Sequence, residues 1–126
     1  MDNRELGQFG EQKAAAFLIS KGYKIIKMNY ECRLGEIDII SRYSDVISFC
    51  EVKLRKDDTF GSAMEYVTKL KQKKIIKTAM YYMQHNPAYN CLQPRFDVIE
   101  IYAPFGENGE IQIFHCEDAF QCDFTL

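Results

Sequence analysis

Three ionisable residues in the first half of the chain have types and spacings that suit phosphate chemistry: Asp38 in LGEIDII, and Glu51 and Lys53 in FCEVKLR. Strand side chains alternate faces with a period of two, so Glu51 and Lys53 share one face while Cys50 and Val52 take the other. A hairpin folded at Ser44 and Asp45 would bring Asp38 beside Glu51. Two adjacent carboxylates in a partly buried place repel, and they call for a cation between them or a proton on one of them. Their hard oxygens suit magnesium or manganese, and the backbone carbonyl of Val52 is a further candidate metal ligand on the same strand. Lys53 could orient a water or stabilise charge growing on a phosphate. On its own, E-x-K on a strand also arises by chance, and a solvated ion-pair network on an exposed strand face would use the same residues.

These side chains need elements to hold them. The segment from Asn3 to Lys21 reads as a helix, capped by Asp2 or Asn3, rich in Ala14, Ala15 and Ala16, and stopped by Gly22. Glu11 lies three, four and seven residues before Ala14, Ala15 and Leu18, on the face expected to pack on the sheet, which makes it a candidate to extend the acidic cluster. YKIIKMNY (23–30) is a first strand, followed by the two strands of the hairpin. A loop from Leu54 to Ser62 follows Lys53, where substrates are commonly gripped. A long helix is expected over 62–84, ended by Asn86 and Pro87. On it Gln72 stands one turn from both Ile75 and Ile76 and is expected to look further inward than Lys71. RFDVIEIYA and EIQIFHC (110–116) are the last strands, and Glu117 onward is expected as a tail whose Ala119 and Phe120 tuck against the body. The order is αβββαββ in an α/β fold. A crossover helix after the third strand returns the fourth parallel to a neighbour, so the central sheet should be mixed and flanked by helices.

At 126 residues and 47% apolar composition the chain is expected to form one domain, 1–126, with a proper core. No apolar leader or membrane-length run is present, giving the expectation of a soluble cytoplasmic protein with no membrane partner. Five cysteines without a CxxC pair argue against a disulfide framework and a tetrahedral zinc site. His85 and His115, far apart in sequence, argue against a histidine-based triad. The formal charge of −2 does not announce a nucleic-acid binder, but its distribution is uneven. Eight basic residues fall between Lys53 and Lys77, whereas Arg95 is the last basic residue of an otherwise acidic C-terminal stretch. Arg55, Lys56, Lys71, Gln72 and Lys74 are therefore the candidate nucleic-acid contacts. The same lysines would equally suit a solvated helix face.

The ordered motifs, Gly7-x-x-Gly10-Glu11, KGYKIIKMNY, RLGEIDII, FCEVKLR, TKLKQKK and RFDVIEI, resemble the YraN family of small bacterial proteins. That family is similar in fold to the PD-(D/E)XK, or restriction-endonuclease-like, superfamily, especially the archaeal-type Holliday junction resolvases. The resemblance covers nearly the whole chain. It implies that Asp38 stands at the metal-binding aspartate, Glu51 at the metal-binding acid, Lys53 at the catalytic lysine and Glu11 at the first-helix glutamate. The proline of the superfamily pattern is absent, since Ile37 precedes Asp38. Many relatives carry arginine where this chain has Lys53. The implied function is a magnesium- or manganese-dependent DNA endonuclease acting on branched or recombination-type DNA, with a homodimer placing two sites. The alternative is a nucleic-acid-binding or assembly module that keeps the fold without cleavage.

Overall fold

The computed structural model describes residues 2–56 and 67–123. The elements run α1 (Asn3–Ser20), β1 (Lys24–Cys32), β2 (Gly35–Tyr43), β3 (Val46–Arg55), α2 (Lys69–His85), β4 (Gln93–Tyr102) and β5 (Gln112–Phe120). This is the expected αβββαββ order of an α/β fold. The five strands lie in the order β1-β2-β3-β4-β5. Only β3 and β4 are parallel, with α2 as the crossover between them, so the sheet is mixed as expected.

A helix covers each face. Ala14 and Leu18 of α1 pack with Tyr23, Ile39, Cys50, Ile99 and Ile101. On the other face Ile75, Ile76, Ala79 and Tyr82 of α2 meet Ile40, Ile47, Phe49, Phe96 and Val98. The alternation along β3, with Phe49 on one side and Cys50 on the other, is what lets a single strand serve both layers. The Asp2 carboxylate caps α1 through the Glu5 N–H at 2.8 Å, and Gly22, at φ 95°, turns the chain into β1. Between β2 and β3 the turn falls at Ser44 and Asp45, as expected, with Ser44 at φ 53°.

Four boundaries differ from expectation. The second helix begins at Lys69, not Ser62, because Thr68 has extended backbone angles and its hydroxyl accepts the Lys71 N–H at 3.2 Å. The expected helical residues 62–66, and most of the expected loop 54–62, lie outside the described residues; Leu54 and Arg55 belong to β3. The first strand continues to Cys32, since Glu31 and Cys32 pair with Glu36 and Gly35. The last strand continues to Phe120 instead of ending at Cys116. A bulge opposite Phe96 and Val98 carries it past Asp118, at φ 54°, so that Phe120 pairs with Phe96. No helix among the described residues is long and apolar enough to cross a membrane.

Candidate metal and phosphate site

Strand register assembles the acid pair. The β2–β3 ladder ends with Ile39 opposite Cys50, and Asp38 and Glu51 are the residues next beyond that pair. The Val52 N–H donates to Asp38 Oδ2 at 2.8 Å, which fixes the aspartate on the edge of β3. Glu51 is only 6% exposed. Two ammonium groups approach its Oε1 atom, Lys71 Nζ at 2.6 Å from α2 and Lys53 Nζ at 3.7 Å from the next position on the same face of β3. Burial, then the neighbouring Glu51 carboxylate, push Asp38 up from 3.8 to about 7. Glu11 adds to that push, while the Val52 N–H and Lys71 oppose it. Burial works against the charge on Lys71, yet the hydrogen bond and charge of Glu51 hold its ammonium above its ordinary value.

Glu11 reaches this neighbourhood because α1 lies close on β3. A Cβ on Gly10 would come within 3.3 Å of Leu54 Cδ1, so glycine there lets the helix backbone approach and sets the following glutamate beside the strand. The donor set fits a divalent cation: Asp38 and Glu51 offer hard oxygens side by side, and the cost of ionising both, seen in the raised Asp38, is what such an ion would remove. Lys53 stands at the edge of the pair with its side chain 29% exposed.

The candidate nucleic-acid contacts separate into two groups. Lys56, Lys71 and Lys74 reach the surface. Arg55 does not: it is 7% exposed, its Nε donates to Glu100 Oε1 at 2.7 Å, and its guanidinium lies 5.2 Å from the Tyr102 ring centre. Strand alternation explains this, since Arg55 follows Glu51 and Lys53 on the same face but lies under the end of β4. Gln72 is buried as its spacing predicted, and its amide donates to the Val67 carbonyl at 3.0 Å, holding the entry to α2. The unforeseen member is Lys71, expected to be a surface contact and found on Glu51.

A second polar cluster lies on the α1 side of the sheet. Asp97 is fully buried and receives Ser48 Oγ at 2.8 Å, Arg95 Nε at 2.9 Å and Nη2 at 2.7 Å, His115 Nε2 at 2.8 Å and the Asp118 N–H at 3.0 Å. Burial opposes its charge, but the hydrogen bonds from His115, Arg95 and Asp118 hold its carboxyl well below the usual range. Lys21 Nζ lies 2.9 Å from the other His115 nitrogen. Sequence reasoning treated His115 as isolated; the signal available was Arg95-x-Asp97, an ion pair at strand spacing on one face. Ligand atoms of Cys50, Asp97 and His115 come within 4.8 Å of one another. They do not make a convincing metal site, because burial pushes the Cys50 thiol up, both Asp97 oxygens are already hydrogen-bonded and a guanidinium stands against them.

A model of the family described as Uncharacterised protein family UPF0102 matches residues 10–101. The chain belongs to the UPF0102 family. It is 49% identical over 102 residues to the UPF0102 protein of Clostridioides difficile, covering 81% of this chain and 89% of that one. The UPF0102 protein of Caldicellulosiruptor saccharolyticus is 45% identical over 102 residues, 81% of this chain and 86% of that one. That of a Sulfurihydrogenibium species is 42% identical over 123 residues, 98% of this chain and all of the relative. UPF0102 is the YraN family expected from the ordered motifs. Glu11, Asp38, Glu51, Lys53 and Lys71 all fall inside the segment matched to UPF0102.

Proposed function

We propose that this UPF0102 protein is a magnesium- or manganese-dependent nuclease that hydrolyses phosphodiester bonds in DNA, with Asp38 and Glu51 as the metal-binding pair. The observation that carries the reading is the raised Asp38 beside a buried Glu51, a carboxyl whose ionisation burial and the neighbouring carboxylate oppose and a divalent cation would favour. A bound divalent ion would supply Lewis acidity and neutralise charge on the phosphate. The chain's own groups would do the rest. Lys53, at the margin of the pair, would hold an attacking water or the negative charge developing on a phosphate oxygen. Val52 contributes in two ways: its N–H orients Asp38, and its carbonyl is the further candidate ligand. Glu11 would act from α1 through water, since magnesium keeps several waters. Lys56 and Lys74, both exposed, would face the nucleic-acid backbone, whereas Arg55 and Gln72 serve the frame. Branched DNA would be served by a two-fold pair of chains in the cytoplasm.

The test incubates the protein at low salt, with magnesium or manganese, with linear, single-stranded, flapped and four-way-junction DNA. Cleavage by the wild type that falls by about 10²-fold or more in Asp38→Asn and in Lys53→Ala is expected. Equal cleavage by wild type and variants, or none with either metal, would remove the enzyme reading. Salt-dependent binding without cleavage would favour the non-catalytic module.

A further inference from the structure

Beside the acid pair lies a cavity of about 560 Å³, bounded on one side by the first turns of α2 and on the other by the paired ends of β1 and β2. Its size is in the range of small-ligand sites. The two walls carry opposite charge. On the helix side, Lys71 and Lys74 line the cavity from the first two turns of α2, whose first turn holds no acidic residue. On the strand side, Glu31 and Glu36 line it and face each other across the β1–β2 ladder, a like-charge pairing that costs stability. No ion pair bridges the two walls, and Lys74 has no carboxylate partner among the described residues. Leu70, 69% exposed, forms an apolar part of the lining. Lys71 connects the cavity to the acid pair, because its ammonium also reaches Glu51.

We propose that this cavity is a subsite for one unpaired nucleotide of the nucleic-acid strand, with its phosphate on Lys71 and Lys74 and its base against Leu70. The base is one with an exocyclic amino group, whose N–H donors satisfy Glu31 and Glu36. One ligand then matches both walls: an anion at the cationic helix side and hydrogen-bond donors at the paired carboxylates. Carboxylates accept from the amino group of cytosine, and thymine offers none. The assignment rests on reading Asp38 and Glu51 as a nuclease site, which makes the ligand nucleic acid.

Fluorescence anisotropy at low salt would compare a blunt duplex with the same duplex carrying a short oligo-dC or oligo-dT tail. The wild type is expected to bind the dC tail about tenfold more tightly than the blunt duplex and several-fold more tightly than the dT tail. Lys74→Glu should abolish the preference for tails, and the double variant Glu31→Gln, Glu36→Gln should make dC and dT equivalent. Both changes lie at exposed positions, and circular dichroism would verify the fold. Equal affinity for blunt and tailed duplexes, or a tail preference that survives Lys74→Glu, would overturn the subsite. Equivalent dC and dT tails in the wild type would overturn the role of the carboxylates. Competition by free dCMP or inorganic phosphate at the concentration of the tailed strand would overturn the assignment to a strand. Manganese binding by calorimetry, in wild type and Asp38→Asn, is read separately. Tail preference without manganese binding would keep the subsite and remove the nuclease site, and manganese binding without tail preference would do the reverse.

Discussion

Asp38 on β2 and Asp97 on β4 are aspartates of one sheet, and their surroundings drive them in opposite directions. Asp97 receives five hydrogen bonds from Ser48, Arg95, His115 and the Asp118 backbone, and its charge is held firmly. Asp38 receives one, from Val52, and shares its space with Glu51 and Glu11, so its charge is disfavoured. The first arrangement closes a structural joint between β4, β5 and the start of β1. The second leaves unbalanced negative charge at a place reached by two lysines. Buried acids are common to both, and the inventory of donors around each separates frame from site.

The largest effect expected is at the closed cluster. Asp97→Ala should cost about 3–5 kcal/mol in urea unfolding, because it strands the Arg95 guanidinium and undoes the anchor of the β5 bulge. A loss under about 1 kcal/mol would mean that the cluster is no joint. The pH dependence of stability should then split the two aspartates. For Asp97 the folded value is depressed, so its contribution is present above the unfolded value near 4 and is lost as pH falls below it. For Asp38 the folded value is raised, so its contribution is complete below about 4 and is lost as pH rises to about 7. With chelator present, unfolding free energy should therefore drop by about 2 kcal/mol between pH 4 and pH 8, a figure reduced from the full linkage value to allow for solvent screening at the half-buried Asp38. Asp38→Asn should flatten that slope and stabilise the protein at pH 8 by about 1 kcal/mol, the opposite sign to Asp97→Ala. Smallest of all, Lys56→Ala should leave stability within about 0.5 kcal/mol while lowering the salt slope of DNA binding by about one.

Much of this was legible in the sequence because β3 alternates strictly, with Ile47 and Phe49 in one core layer and Cys50 in the other. It placed Glu51 and Lys53 on one face, and the polar Ser44-Asp45 turn set the β2–β3 register that brings Asp38 beside Glu51. The mixed sheet followed from a helix intervening between β3 and β4. What escaped were contacts that depend on tertiary packing. Lys71 looks like a surface residue by its spacing from Ile75 and Ile76, yet a long flexible side chain at the helix start reaches Glu51. Arg55 belongs by composition to the basic stretch, but Glu100 on the parallel neighbour draws it under the sheet end. His115 is distant in sequence from Asp97, and only the antiparallel return of β5 brings them together. The long last strand was hidden because Asp118 reads as a strand breaker until the Asp97 carboxylate is there to hold its N–H.

The central claim is that Asp38 and Glu51 form a pair completed by a divalent cation. It is tested most directly by following the side-chain carboxyl resonances of the two residues by NMR from pH 3 to pH 9, with and without magnesium. Without magnesium Asp38 should titrate with a midpoint near 7, and added magnesium should return it toward the ordinary carboxylate range. A midpoint near 4 that magnesium leaves unmoved would contradict the account.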